Sequence, residues 1–155
     1  MNASMKYNKK DEGGLIKIVH GMIGSDVHAI GNSIIETILR DCDYIEQVNL
    51  GVMNSKKEFV NAAQETGADS VWVSSLYGHA EMDCKGLKDM FVEKGLDDVI
   101  LYLGGNLTIG KDLDSDSLIK KYKDMGFDRV YPLCAYKDPK DMPLQALKDV
   151  YNDVY

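Results

Sequence analysis

The sequence predicts a single α/β domain in which helices cover both faces of a five-stranded parallel sheet. A chain of 155 residues is long enough to bury one full core and does not require a second domain. Five apolar runs alternate with segments of helical period, and successive runs begin 25 to 31 residues apart, which is the length of a βα unit. The runs at 71–73 and 100–103 are apolar without alternation, as expected for inner strands that are covered on both faces.

The predicted strands are the apolar runs themselves, at 15–23, 44–50, 69–76, 98–105 and 129–133. A short helix from roughly Ser33 to Leu39 follows the first strand. Ser55 and Glu58 form a capping box that starts the second helix, and Gly67 ends it.

Three further helices complete the alternation. The third runs from residue 83 or 84 to Lys94, and Gly126 ends the fourth. The fifth covers 143–155, with Pro143 in its first turn, where a residue without an N–H is tolerated.

Right-handed crossovers leave few topologies for this alternation, and the commonest for five strands is the flavodoxin-like, doubly wound order 2-1-3-4-5. In that fold ligands bind at the carboxyl ends of the strands, where the strand order reverses between strands 1 and 3. The glycines and unusual polar residues of the sequence concentrate in the loops of this edge, at 24–31, 51–54, 74–83, 104–114 and 132–142. We therefore expect a broad ligand crevice there.

Composition excludes several classes of protein. A net charge of −7 disfavours a nucleic-acid partner, which would need clustered Lys and Arg. Cys42, Cys84 and Cys134 are odd in number and far apart, which indicates neither a zinc site nor a disulfide framework and suits a reducing cytoplasm. No apolar run approaches the length of a membrane span. Residues 1–14 are polar and are predicted to be a disordered leader, which leaves 15–155 as the folded domain.

His28 is the residue in the first loop whose side chain is best suited to act as a base or a metal ligand. Asp26, two positions earlier in an extended segment, projects to the same side and can hydrogen-bond one ring nitrogen, which leaves the other free as a base or metal ligand. His20 and His79 are expected to be structural or surface residues. Because zinc requires three or four protein ligands, a lone histidine fits better a metal that brings its own equatorial ligands.

Three short motifs resemble the signature of cobalamin-binding domains. They are Asp26-x-His28-x-x-Gly31, Ser74-x-Leu76 and Gly104-Gly105, all on the predicted ligand edge. The stretches GSDVHAIGN, VSSLYGHAEMDCKGL, LGGNLTIGK and MGFDRVYP are specifically similar to the small subunits (S chains) of adenosylcobalamin-dependent glutamate mutases, also called methylaspartate mutases. The likeness covers about Ile16 to Pro132.

The resemblance implies a role for each motif residue. His28 would be the axial ligand of cobalt in place of the cofactor's own base, and Asp26 would fix the ring. Ser25, Val27 and Ala29 would complete the loop under the corrin, and Gly31 would keep a side chain away from it. The nucleotide tail of the cofactor would run between strands 1 and 3, against further residues of strands 3 and 4 and the loop after strand 4: Ser74, Ser75, Leu76, Gly104, Gly105, Asn106, Leu107, Thr108, Ile109 and Gly110.

The resemblance also implies an activity and a partner. The family interconverts L-glutamate and threo-3-methylaspartate by a radical carbon-skeleton rearrangement whose difficult chemistry belongs to adenosylcobalamin. Substrate binds in a separate, large (β/α)₈-barrel subunit, within a heterotetramer of two small and two large chains. This chain has only Arg40 and Arg129, neither in a motif loop, and so shows no cluster for substrate carboxylates. Residues 133–142 depart from the family pattern, which leaves their contribution to the tail pocket open.

Three alternatives use related architectures. A corrinoid carrier for methyl transfer has the same histidine ligation, and a helical domain usually precedes it, whereas only the polar leader precedes strand 1 here. A phospho-receiver domain needs a phosphorylatable aspartate after strand 3, where this chain has Ser74 and Ser75. A flavodoxin-type FMN site needs a Ser/Thr-rich first loop. Failure to bind cobalamin would favour the last two.

Overall fold

The computed structural model describes residues 14–107 and 114–155, and these residues contain the predicted parallel sheet. The strands are β1 (Ile16–Met22), β2 (Ile45–Asn49), β3 (Ser70–Ser75), β4 (Ile100–Gly105) and β5 (Arg129–Pro132). All pair in parallel in the order β2-β1-β3-β4-β5. The doubly wound, flavodoxin-like fold predicted from the sequence is therefore confirmed.

The helices of the described residues are α1 (Ala29–Arg40), α2 (Lys56–Thr66), α3 (Ala80–Cys84), α4 (Leu87–Glu93), α5 (Ser115–Asp124) and α6 (Asp141–Val154). The capping box before α2 forms as predicted, because the Ser55 hydroxyl accepts from the Glu58 N–H at 3.2 Å. Gly67 ends this helix in the left-handed conformation, with φ of 66°. Pro143 lies in the first turn of α6.

Two helix predictions need correction. The single helix predicted from residue 83 or 84 to Lys94 is two helices, α3 and α4, because Gly86 between them has a left-handed φ of 80° that a continuous helix does not allow. The helix predicted at Ser33 to Leu39 begins four residues earlier, directly after His28. Ala29 and Gly31 are consequently helical rather than part of the first loop.

Two apolar cores lie on opposite faces of the sheet, as expected for strands covered on both sides. One contains Val19, Phe59 and Leu101 under α2, α4 and α5. The other contains Ile18, Trp72 and Tyr102 and is covered by α1 and α6. Every residue of β3 is buried, which agrees with its unbroken apolar run.

The described residues contain no helix that is long and apolar enough to cross a bilayer. The predicted leader lies outside the described residues except for Gly14, whose carbonyl oxygen accepts a hydrogen bond from the Tyr155 hydroxyl at 2.7 Å. This contact joins residue 14, where the described part of the chain begins, to residue 155 at the edge where the strands begin.

Candidate functional site

A cavity of about 650 Å³ opens at the carboxyl edge of the sheet and extends down between the sheet and helices α1 and α6. Four residues in one row of the sheet, Met22, Ser74, Gly104 and Tyr131, form its upper wall. They are register partners on β1, β3, β4 and β5, and register partners in a parallel sheet point to the same face. The cavity therefore lies at the predicted reversal of strand order.

Asp26 is the fixed point of the first loop. Its side chain is buried, and one oxygen, Oδ1, accepts from the His28 backbone N–H at 3.0 Å and lies 2.5 Å from His28 Nδ1. The other oxygen, Oδ2, accepts from the Leu76 N–H at 2.6 Å, and its backbone carbonyl accepts from the Met53 N–H at 2.9 Å. This one residue thus connects the loops after β1, β2 and β3.

His28 lies at the mouth of the cavity, with half of its side chain exposed. Because an ionised carboxylate only accepts, the proton of the neutral imidazole is on Nδ1, which faces Asp26. The other nitrogen, Nε2, has no hydrogen-bond partner among residues 14–107 and 114–155. Its lone pair is therefore free for a ligand, as the sequence predicts.

The remaining residues of the first motif take different positions. Val27, Ala29 and Gly31 line the cavity beside His28. A methyl group at Gly31 would approach Leu76 Cδ1 to 3.0 Å, so the protein itself favours a glycine at this position. Ser25 does not line the cavity, and its backbone N–H donates to the Tyr77 hydroxyl at 3.1 Å.

Residues at the end of β3 alternate between the two faces of the sheet. Ser74 and Leu76 line the cavity, whereas the predicted cofactor residue Ser75 does not. The Ser75 hydroxyl is buried and has no hydrogen-bond partner among the described residues. The period of two along a strand explains this difference, because neighbouring side chains point to opposite faces.

The two glycines of β4 differ in whether the packing of the protein requires a glycine. At Gly105, with φ of 126°, a Cβ atom would overlap the carbonyl oxygen of Ser75 in the neighbouring strand. At Gly104 the nearest atoms to a Cβ would be those of Tyr131 at 3.6 Å, an ordinary contact. The packing of the protein therefore demands a glycine at 105, whereas a methyl group at 104, on the cavity wall, would make only ordinary van der Waals contact.

Residues 106 and 107, the described start of the loop after β4, contribute less to the cavity than the sequence predicts. Asn106 and Leu107 do not line it, and Leu107 packs in the core on the opposite face of the sheet. Thr108, Ile109 and Gly110 lie outside the described residues.

The fifth loop, whose contribution the sequence left open, lines part of the cavity. The cavity is lined here by Leu133 and Pro139, followed by Met142, Pro143 and Ala146 of α6. This segment departs from the family pattern in sequence, yet it closes one side of the cavity with apolar side chains. The segment therefore lines the cavity, which is the point that the sequence left open.

Three aromatic residues that sequence reasoning missed form one wall of the cavity: Trp72 and Tyr102 from the row below, and Tyr131 from the upper row. The rings of Trp72 and Tyr102 stack at 5.8 Å, and those of Tyr102 and Tyr131 meet edge-on at 5.6 Å. Alternation could have identified two of them, since Trp72 lies two residues before Ser74 and Tyr102 two before Gly104.

The hydroxyl groups of this wall are bound to α6. Tyr102 donates to Asp153 at 2.5 Å and Tyr131 to Asp149 at 2.7 Å, and Arg129 holds Asp153 through Nε and an Nη atom at 2.7 and 2.8 Å. Burial, and then these hydrogen bonds, raises the pKa of both phenols, so they remain neutral donors. The wall therefore presents aromatic rings to the cavity, and Arg129 is committed to a carboxylate of the same chain.

The other two histidines are placed as expected. His20 is buried in β1, with Nε2 2.7 Å from Gln47 Oε1, and burial lowers its pKa. His79 is exposed, and its ring packs on Tyr77. The described residues contain no group of three His, Cys, Asp or Glu side chains that could hold a metal ion.

Comparisons with known proteins agree with this geometry. A family model for the B12 binding domain matches residues 16–122. The glutamate mutase sigma subunit of Carboxydothermus hydrogenoformans is 52% identical over 139 residues, which cover 90% of this chain and 96% of that protein. The sigma subunit of Escherichia coli O157:H7 is 47% identical over 114 residues, which cover 74% of this chain and 75% of that protein.

A solved structure shows the same fold at low sequence identity. A cobalamin-binding protein from Desulfitobacterium hafniense superposes with a TM-score of 0.65 at 18% identity. The alignment covers 94% of this chain and 66% of that one, so this chain spans just under two thirds of the length of that solved neighbour.

Proposed function

Because the chain belongs to the B12-binding domain family, we propose that it is the cobalamin-binding small subunit of a glutamate mutase. The observation that carries this proposal is His28, oriented by a buried carboxylate, with a free Nε2 at the mouth of a mostly apolar cavity. The reaction would be the interconversion of L-glutamate and threo-3-methylaspartate.

The residues at the site fit this cofactor. Cobalt in a corrin already has four equatorial ligands and needs a single protein donor, and a single free imidazole nitrogen is what the mouth of the cavity offers. Gly104 leaves space that the protein does not use, as expected where a ligand must lie against the strand. A cavity of about 650 Å³ is within the usual range for cofactor sites.

In this proposal Asp26 and His28 act as one unit. Asp26 keeps the imidazole proton on Nδ1, which fixes the tautomer and makes Nε2 the ligand of cobalt. A ligand histidine that donates to a carboxylate is also a stronger base. Val27, Ala29 and Gly31 would lie under the corrin.

The cavity below His28 would hold the nucleotide tail. Ser74 supplies a hydroxyl, Leu76 supplies an apolar contact, and Gly104 gives the tail access to β4. The apolar side chains of the fifth loop and α6 would cover its other side and exclude water.

When bound as its adenosyl form, the cofactor supplies radical chemistry. The protein described here would bind and orient it, and neither of its two arginines is placed at the cavity for a dicarboxylate substrate, because Arg129 is bound to Asp153 and Arg40 is at the far end of α1. We therefore assign the substrate site to a large barrel-shaped partner, in a heterotetramer of two small and two large chains. The three free thiols agree with a cytoplasmic location.

The test is cobalt ligation in wild type and two histidine variants. Purified protein is mixed with cob(II)alamin, and the electron paramagnetic resonance spectrum is recorded. With protein uniformly labelled with nitrogen-15 and unlabelled cofactor, wild type is expected to show the doublet superhyperfine coupling of a labelled protein imidazole, and His28→Ala is expected to lose it. His79→Ala removes an exposed histidine of the third loop and should leave the signal unchanged.

Retention of the cofactor's own base on cobalt in the wild-type complex would refute the proposal. A second assay identifies the reaction: glutamate-dependent turnover on addition of a glutamate mutase large subunit distinguishes the mutase from a corrinoid carrier for methyl transfer.

A further inference from the structure

The backbone immediately before Asp26 is held by a pair of side chains from the third loop. The Ser25 N–H donates to the Tyr77 hydroxyl at 3.1 Å. Gly24 has a left-handed φ of 72°, and a Cβ atom on it would overlap both the Tyr77 hydroxyl and the Asp83 carboxylate. The phenol and the carboxylate therefore lie directly against the chain where β1 turns into the first loop.

The donors and acceptors of this pair have only one arrangement. An ionised carboxylate only accepts, so the single proton of Tyr77 is donated to Asp83. The phenol oxygen is then left to accept from the Ser25 N–H. Burial, and next the hydrogen bond to Asp83, raises the pKa of Tyr77, which keeps the phenol protonated at neutral pH.

The pair is itself anchored in the fold. Asp83 lies on α3, whose first and last residues, Ala80 and Cys84, are buried in the core. The ring of Tyr77 packs on His79 with a centroid distance of 4.7 Å. A fixed carboxylate thus orients the phenol, and the phenol fixes the loop.

Backbone bonds hold this segment on the side of β2, among them that of 2.6 Å from the Gly24 N–H to the Asn54 carbonyl oxygen, and the Tyr77 hydroxyl holds it on the side of β3. Ser25, Val27 and His28 are exposed, and Asp26 is the buried member between them. We propose that Tyr77 and Asp83 are positioning residues for cobalt ligation, which hold the first loop so that the Asp26 and His28 pair is preorganised for the cofactor. This inference rests on the proposed function.

The test uses conservative variants of the pair and a matched control. Tyr77→Phe removes the hydroxyl, Asp83→Ala removes its acceptor, and Asp83→Asn keeps an acceptor oxygen. Tyr155→Phe removes a hydroxyl that donates to a backbone carbonyl at the opposite edge of the sheet. Each protein is titrated with cob(II)alamin, with Trp72 fluorescence as the readout, and amide exchange of residues 24–28 is measured without cofactor.

Loss of the Ser25 hydrogen bond in Tyr77→Phe, and of the carboxylate that orients the phenol in Asp83→Ala, is expected to weaken cofactor binding about fivefold. Exchange at 24–28 should accelerate by a similar factor in both. Asp83→Asn should recover most of the loss, and Tyr155→Phe should bind and exchange like wild type. The thermal midpoints of the Tyr77 and Tyr155 variants should agree, which separates positioning from general stability.

Wild-type exchange and wild-type affinity in Tyr77→Phe would overturn the inference while leaving imidazole ligation in place. Absence of imidazole coupling in wild type would refute the proposed function instead. Should Tyr77→Phe not fold, the comparison of Asp83→Ala with Asp83→Asn decides, because equal affinities of these two variants would contradict the inference.

Discussion

Asp26 and Leu76 are joined by a hydrogen bond of 2.6 Å from the Leu76 backbone N–H to Oδ2, although fifty residues separate them in sequence. The bond connects the first loop to the third, across the position where the order of strands reverses. Leu76 also lines the cavity, so the same carboxylate that orients His28 fixes one wall of the cavity below it. The ligand atom and the tail cavity are therefore positioned relative to each other through one buried side chain.

Replacement of Asp26 by Asn is expected to weaken cobalamin binding by about 10- to 100-fold. An amide oxygen can replace only one of the two carboxylate oxygens, so either Leu76 or His28 loses its acceptor. The measurement is a cobalamin titration followed by the fluorescence of Trp72, the one tryptophan in the chain. Asp43→Asn, the same change at an exposed position, should bind like wild type.

The two glycines of β4 should respond differently to alanine. Gly105→Ala is expected to lower the free energy of unfolding by about 3 kcal/mol, because a positive φ and an overlap with the Ser75 carbonyl both oppose it. Gly104→Ala should change stability by less than about 0.5 kcal/mol but weaken cobalamin binding, because the methyl group enters the cavity. Chemical denaturation and titration of both variants separate the effects, and a destabilised Gly104→Ala would contradict this assignment.

Helix α1 is expected to become ordered on cofactor binding. It begins at His28 without a side-chain cap, buries only Asn32 and Leu39, and leaves Ile30 80% exposed. Amide exchange of residues 30–40 should be fast without cobalamin and slow with it, since cofactor binding would anchor the start of the helix. Helix α2 is the internal control, and equal protection of 30–40 in both states would refute the prediction.

The free energy of unfolding should decrease at acid pH because of His20. Burial lowers its pKa below the ordinary 6.5, so the unfolded chain binds a proton at pH values where the native protein does not. The free energy of unfolding is therefore unaffected above the unfolded pKa and decreases as the pH falls from about 6.5 towards the folded pKa, by at most about 1.4 kcal/mol for each pH unit.

Urea denaturation between pH 8 and 5 measures this slope. His20→Gln, which cannot titrate, is expected to show a shallower decrease than wild type. His79→Gln removes an exposed histidine and should keep the wild-type slope. Parallel curves for wild type and His20→Gln would show that another group is responsible.

The sheet could be predicted from sequence because its signals are local. The apolar run of β3 and the capping box at Ser55 each specify one element, and the length of the βα unit then leaves one common strand order. Asp26 and His28 could be paired from spacing alone. The break at Gly86 was missed because a glycine inside a helical pattern is compatible with either a continuous or an interrupted helix.

The cavity wall was harder to predict because it depends on which face each residue takes. Ser75 lies between the lining residues Ser74 and Leu76, and Leu107 lies two positions after Gly105. Neither of them lines the cavity. Conversely, Trp72 and the fifth-loop residue Leu133 carry no motif and line it. The long-range hydrogen bond from the Leu76 N–H to the Asp26 carboxylate depends on how two loops pack together, and the local sequence of neither loop predicts that packing.

The hydrogen bond from the Tyr155 hydroxyl to the Gly14 carbonyl oxygen has a practical consequence. Residues 14 and 155 both lie at the edge of the sheet opposite to His28. A fusion partner or an immobilisation tag placed beyond residue 155 would face away from the opening, so that protein tethered to a support would still present His28 to dissolved cobalamin.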